Sequence, residues 1–240
     1  VDSESLLMEA ALHHGIAQDW EVGILIRLRS EGGGVLDPFI NGWHRTFGLP
    51  RGKRREMPYD EHNISGSGNN GEFDFGKTGF GVGTPELSLN FCPDSKKTCA
   101  GLTVGLPAPS VEFGQQGAAL GTDIVTSIDF EKFSWSIGAA LWFYSDTSID
   151  NVDYRPLVPS AFVVAEYLYS PVWQFYASLW EGLQVTKGIE DHPASQCYLD
   201  VGSRIRIGEG QTLDVLVREN PYPGHGTSDI SMVLGITFRG

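Results

Sequence analysis

The chain has 240 residues, enough for one large architecture, and all-β barrels of this size form a single domain. Its 17 basic and 30 acidic side chains leave a formal charge of −13, which excludes nucleic-acid binding through the whole surface, since only Arg51 to Arg55 form a basic cluster. No apolar run reaches the roughly 18 residues of a membrane-spanning helix, so a transmembrane helix is excluded as well.

In chain order, the dominant pattern is strict apolar/polar alternation in segments of about ten residues, broken by Gly, Pro, Asn and Asp clusters. Residues 3–14 set Leu6, Met8, Ala10 and Leu12 on one face, with Glu9 and His13 on the other. The next segment sets Trp20, Val22, Ile24, Ile26 and Leu28 against Glu21 and Arg27. Residues 31–84 then form a long loop. Within it, the Asp37-Pro38 start, the spacing of Phe39, Ile40, Trp43, Phe47 and Leu49, and the Gly48 stop predict a short amphipathic helix over about 37–47, which also carries His44. Residues 71–83 keep the parity of the following strand, which predicts that this strand projects beyond the membrane.

Alternation resumes with Leu87, Leu89 and Phe91 opposite Glu86, and with Ala100, Leu102, Val104 and Leu106. Ile124, Ile128 and Phe130 lie opposite Asp123 and Asp129, and Phe133 to Phe143 form the apolar row of the next segment. Ala161 to Tyr169 oppose Glu166, and Trp173 to Leu179 oppose Gln174. Leu199 to Ile207 oppose Asp200, Arg204 and Arg206; Leu213 to Val217 oppose Asp214 and Arg218; Ile230 to Phe238 oppose Asp229. Eleven amphipathic strands thus share one apolar and one polar face, with Glu181 a lone charge on the apolar parity.

Two observations place the apolar face outside. Large rings on that face flank the short turns: Trp20, Phe91, Phe130, Phe133, Tyr169 and Trp173, with Phe238 at the end of the last strand. An interfacial girdle requires that placement, whereas a soluble core concentrates its rings in mid-strand. A barrel of about twelve strands is also too wide for side chains to fill, so an apolar interior would be a dry void. The expected fold is therefore an antiparallel transmembrane β-barrel occupying residues 1–240. Short and long connections alternate along the chain, as periplasmic turns and extracellular loops do. The first and last strands run in the same direction and cannot close an antiparallel ring. Bacterial single-chain barrels have even strand numbers, so a twelfth strand is expected before residue 1.

Residues 2–58 carry the acidic start Asp2-Ser3-Glu4 and the turn from His14 to Glu21. They also carry the segment Gly33-Gly34-Val35-Leu36-Asp37-Pro38-Phe39-Ile40-Asn41-Gly42-Trp43-His44-Arg45-Thr46-Phe47-Gly48-Leu49-Pro50. This stretch resembles a family of Gram-negative outer-membrane barrel proteins of unknown function. Gly105-Leu106-Pro107 and Gly121-Thr122-Asp123 are similar to a strand and loop of broader transporter-like barrel families. The resemblance implies an outer-membrane location, a barrel fold and a strand upstream of Asp2, and it brings no activity with it.

The polar face supplies the candidate lumen: Glu9, Glu21, Arg27, Glu86, Asp123, Asp129, Glu166, Asp200, Arg204, Arg206, Asp214 and Arg218. Arg204, Arg206 and Arg218 face Asp200, Asp214 and Asp229 on neighbouring strands, either as a charged constriction that selects solutes or as a salt-bridge ladder that closes the lumen. The loop helix is expected to act as a lid or gate, to rest on the outer leaflet with Arg51, Lys53, Arg54 and Arg55 on lipopolysaccharide phosphates, or simply to stiffen the loop. Cys92 and Cys99 bracket a turn and suit a disulfide, leaving Cys197 free or joined to a partner. His225 near Ser228 and His192 near Ser195 are candidate histidine-serine neighbours for a lipid hydrolase, and no third group accompanies them. No zinc spacing or phosphate-binding glycine loop is present, so no cofactor or metal is expected. The expected function is a porin-like channel or passive transporter for small solutes. The alternatives are an interaction barrel whose loops bind a protein or lipopolysaccharide, and an outer-membrane lipid hydrolase.

Overall fold

The computed structural model describes residues 4–32, 38, 42, 45–46, 65–68, 70–74, 79–93, 97–109, 116–146, 148–149, 151–187, 195–219 and 230–240. Its strands are β1 (Glu4–Ala17), β2 (Trp20–Gly32), β3 (Ser65–Gly68), β4 (Gly71–Asp74), β5 (Gly79–Val82), β6 (Glu86–Phe91), β7 (Thr98–Gly105), β8 (Ala119–Asp129) and β9 (Phe133–Tyr144). They continue as β10 (Ser148–Ile149), β11 (Val152–Tyr154), β12 (Leu157–Leu168), β13 (Trp173–Leu183), β14 (Thr186–Lys187), β15 (Ser195–Gly208), β16 (Gln211–Glu219) and β17 (Ile230–Arg239).

Eleven of these form a closed ring in the order β1, β2, β6, β7, β8, β9, β12, β13, β15, β16 and β17, with β17 returning to β1. All neighbours in the ring are antiparallel except the last pair. β1 and β17 run side by side in parallel, in unbroken register from Glu4↔Ile230 to His13↔Arg239. The expectation of twelve strands is corrected here. It assumed an antiparallel closure, whereas a parallel pair whose parities match keeps each apolar row on one face and completes the ring with eleven.

The rows settle which face is outside. Ile137 is 64% exposed and Ile124 53%, whereas the polar side chains of Ser5, Ser160 and Asp200 are buried. Exposed apolar and buried polar residues invert the distribution of a water-soluble protein, as a lipid-facing barrel demands.

One parity expectation changes. Val82 pairs Leu28 and Glu86 pairs Leu25, so residues 83–85 oppose only Ile26 and Arg27. The extra residue is a β-bulge at Pro85, which has no N–H to give to the ladder. It moves the outward row from Leu87 and Leu89 to Phe80 and Val82, so the upper part does not keep the parity of β6. Farther up, β4 pairs with β3 as a separate hairpin.

The long connections leave the barrel at one end, and three of them are stitched together there. β11 lies between β10 and β14, joining the β9–β12 and β13–β15 connections. Asn70 Nδ2 donates to Asp153 Oδ1 at 2.9 Å and Asn151 Nδ2 donates to the Glu72 carbonyl at 3.0 Å, tying the β3–β4 hairpin to this sheet. Asn151 adopts φ 67°, which an Asn tolerates in a tight turn.

Candidate functional site: the barrel lumen

Because outward and inward residues alternate, the lumen wall is fixed by the same registers that expose the apolar rows. Arg27 on β2 donates from Nε to Glu9 on β1 at 2.8 Å and from Nη1 to Glu86 on β6. Arg204 on β15 donates from Nε to Asp214 on β16 at 2.8 Å and lies 3.4 Å from Glu166 on β12. Each of these arginines is shared by two carboxylates, so carboxylates outnumber arginines two to one in each cluster.

Arg218 on β16 and Asp200 on β15 are direct register partners and form a two-pronged pair, Nε to Oδ1 at 2.7 Å and Nη2 to Oδ2 at 2.9 Å. Ser178 donates to the same carboxylate at 3.2 Å. The guanidinium of Arg218 also stacks on Tyr198, 5.4 Å from the ring centre, and that of Arg204 stacks on Tyr176 at 5.6 Å.

The remaining predicted lumen residues are spread along the wall. Glu21 lies 2.9 Å from His13 Nδ1 and 3.4 Å from Arg239, near the short-turn end. Asp129 accepts from Ser134 at 2.7 Å. Asp123 occupies the space that a side chain at Gly101 would need. Arg206 is exposed beside the β15–β16 turn and has no ion pair among the described residues; Asp229 lies outside them. Every ion pair found among the described residues joins groups on the same, adjacent or next-but-one strands, so these charges are anchored along the wall.

The predicted ring of aromatics collects at the short-turn end. Trp20 meets Phe91 at 4.9 Å between ring centres, and Trp173 meets Phe175 at 5.5 Å. Phe133 packs on Tyr167 at 4.8 Å, and Tyr169 on Phe175 at 6.1 Å. Phe130 is exposed at the β8–β9 turn, and Phe238 pairs with Gln211 beside the β15–β16 turn. Cys92 and Cys99 are disulfide-bonded across the β6–β7 turn, with Cα atoms 4.3 Å apart, and Cys197 is a buried free cysteine. Glu181, on the apolar parity, is exposed near the loop end of β13.

Of the predicted loop helix, Pro38, Gly42, Arg45 and Thr46 are helical, and the Thr46 hydroxyl donates to the Gly42 carbonyl at 2.8 Å. Phe39, Ile40, Trp43, His44 and Phe47 lie outside the described residues, as do Arg51, Lys53, Arg54, Arg55, His192, His225 and Ser228.

The sequence pattern missed a set of rings on the polar parity. Trp142, Phe162, Trp180 and Tyr198 face inward, and all are half-buried. Phe162 pairs with Trp180, which pairs with Tyr198, forming one row across β12, β13 and β15. Phe162 fills the space over Gly138, and Trp142 lies over Gly121, 2.8 Å from where a Cβ would stand. The readable signal was the glycine at the same parity on the neighbouring strand.

The sequence matches, over residues 1–239, the family described as "Protein of unknown function (DUF3187)". No curated protein sequence matches the chain. Among solved structures, the barrel is similar to the COG4313 outer membrane channel from Pseudomonas putida F1, at 10% identity and TM-score 0.53, covering 92% of this chain and 76% of that one. It is also similar to the NanC porin, at 9% identity and TM-score 0.50, covering 96% of this chain and 97% of that one. At these identities the likeness establishes a shared barrel fold.

Proposed function

The chain belongs to the DUF3187 family, whose function is unknown, and we propose from its own geometry that it is a porin-like channel of the bacterial outer membrane, passing small solutes passively through its lumen. The inverted barrel carries this reading: exposed rows such as Trp135, Ile137 and Val201 enclose a wall of anchored charges around Arg27, Arg204 and Arg218. The outward rows suit lipid, and closure of the ring satisfies the backbone without water. Eleven strands make a wider ring than the eight whose side chains fill the interior. The Arg204 side chain keeps 40% of its surface exposed, so its charge stays open to a passing solute.

The short turns face the periplasm and the stitched loops face outward, following the asymmetry of such barrels. Because both shared-arginine clusters are net negative, the channel favours cations over anions of the same size. The ordered layer formed by β3–β4 and β10–β11–β14 also favours a second role, in which the loops present a binding surface to an outside partner.

Planar-bilayer recording tests the first reading. The refolded protein is expected to give stepwise conductance in potassium chloride. A correctly folded, inserted barrel that passes no current at any voltage, even with residues 33–78 replaced by a short linker, refutes it.

A further inference from the structure

We propose that the lumen wall formed by β9, β12, β13 and β15 is a saccharide-binding track, an assignment that rests on the channel reading above and names its substrate class. Phe162, Trp180 and Tyr198 stand side by side in one register row, and Trp142 stands on the neighbouring strand β9. Phe162 and Trp142 lean over glycine positions on the preceding strand, so their rings lie along the wall. Trp180 and Tyr198 are 5.5 Å apart between ring centres and tilted by 33°, extending the same apolar strip.

The adjoining row has the opposite character. Ser178, Asp200 and Arg218 follow one another across β13, β15 and β16, held by hydrogen bonds of 2.7 to 3.2 Å. The wall therefore offers the rings of Phe162, Trp180 and Trp142 beside a fixed line of hydrogen-bonding groups, with the Tyr198 ring lying against the Arg218 guanidinium at the edge of the strip. A pyranose has the matching surface: C–H bonds that stack on aromatic faces, and a rim of hydroxyls that donate to carboxylates and accept from guanidinium groups.

Other ring solutes fit less well. A hydrocarbon covering this wall would strip water from Arg218, whose side chain is 37% exposed, and return no hydrogen bond. An anionic solute would meet carboxylates that outnumber arginines at both shared clusters. A neutral saccharide meets both the strip and the polar row.

The test records single channels in potassium chloride while maltotriose is added, with sorbitol as a hydroxylated control that lacks a ring. Maltotriose is expected to block the current in a concentration-dependent way and sorbitol to leave it unchanged. Trp180→Leu, which stays apolar but loses the flat face, is expected to raise the half-blocking concentration about tenfold, while Trp180→Phe keeps most of the block. Both variants should keep the heat-dependent gel shift of the folded barrel, and each block is read relative to that variant's own open-channel current. Open channels that maltotriose does not block, or blocks no better than sorbitol does, overturn the saccharide assignment and leave the channel reading standing. If the wild-type barrel passes no current, the channel reading fails by itself. Tryptophan fluorescence of the refolded protein, titrated with maltotriose, then decides the assignment: a saturable change that Trp180→Leu weakens upholds it, and a flat titration refutes it.

Discussion

The Arg218–Asp200 pair offers the sharpest energetic test of the wall. Two parallel hydrogen bonds of 2.7 and 2.9 Å make it a fork-to-carboxylate contact. Two unit charges ~4 Å apart attract by about 4 kcal/mol at an effective dielectric constant near 20. The Asp200 side chain is only 9% exposed, but that of Arg218 is 37% exposed, so screening and partial desolvation reduce the net coupling to roughly 2 kcal/mol. Arg218→Met alone should cost more, about 2 to 4 kcal/mol, because it leaves Asp200 charged with only the Ser178 hydroxyl to hold it. Asp200→Asn should cost less, and the double variant should cost less than the sum of the two single variants by about the coupling energy. Arg218→Lys keeps the charge but loses the fork and should fall between wild type and Arg218→Met. The measurement is urea unfolding in phospholipid vesicles, followed by tryptophan fluorescence and arranged as a double-mutant cycle. A coupling below about 0.5 kcal/mol, typical of exposed pairs, would show that the contact is not a structural element of the wall.

Three further outcomes are expected. Arg27→Gln leaves Glu9 and Glu86 uncompensated and should move the reversal potential in a potassium chloride gradient toward that of potassium, whereas Glu9→Gln with Glu86→Gln should move it the other way. Ile137→Arg places a charge within the outward row of β9 and should cost about 2 to 4 kcal/mol in vesicles if the site lies near mid-bilayer; no loss of stability would mean that the row faces water. Cys92→Ser with Cys99→Ser opens a short loop, seven residues in sequence separation, and should lower stability by roughly 2 kcal/mol while leaving conductance intact, measured by thermal unfolding and bilayer recording.

How much of this was legible in the sequence follows from the range of each interaction. Facing is a period-two property, so Ile124 and Ile137 could be assigned outward and Arg204 and Arg218 inward from their neighbours alone. Hairpin adjacency then brought Arg204 to Asp214 and Arg218 to Asp200, because a tight turn fixes register across two strands. Closure was not legible. The pairing of Leu6 with Met232 joins the two ends of the chain, and parallel and antiparallel closure place the same residues outward. The bulge at Pro85 escaped for a different reason: one extra residue between Val82 and Glu86 is invisible to parity unless the partner strand is known. The inward rings were hidden by averaging, since a Trp on a polar parity counts as a blemish until the glycine beside it is seen.

Those glycines and the ion pairs point to one principle in the wall. An arginine is long enough to reach across a narrow bore, and a tryptophan is wide enough to block it. Here Arg27 is tied down by carboxylates on both flanking strands, and Arg204 by Asp214 on β16 and by Glu166 beyond β13. Trp142 and Phe162 are accommodated over Gly121 and Gly138, where any Cβ would push them toward the axis. Holding large groups sideways costs contacts that a plugged interior would gain by interdigitation. In the channel reading a passage must be kept clear of large groups, and the Arg27, Arg204 and Phe162 arrangements, each held against the wall, are what that reading requires.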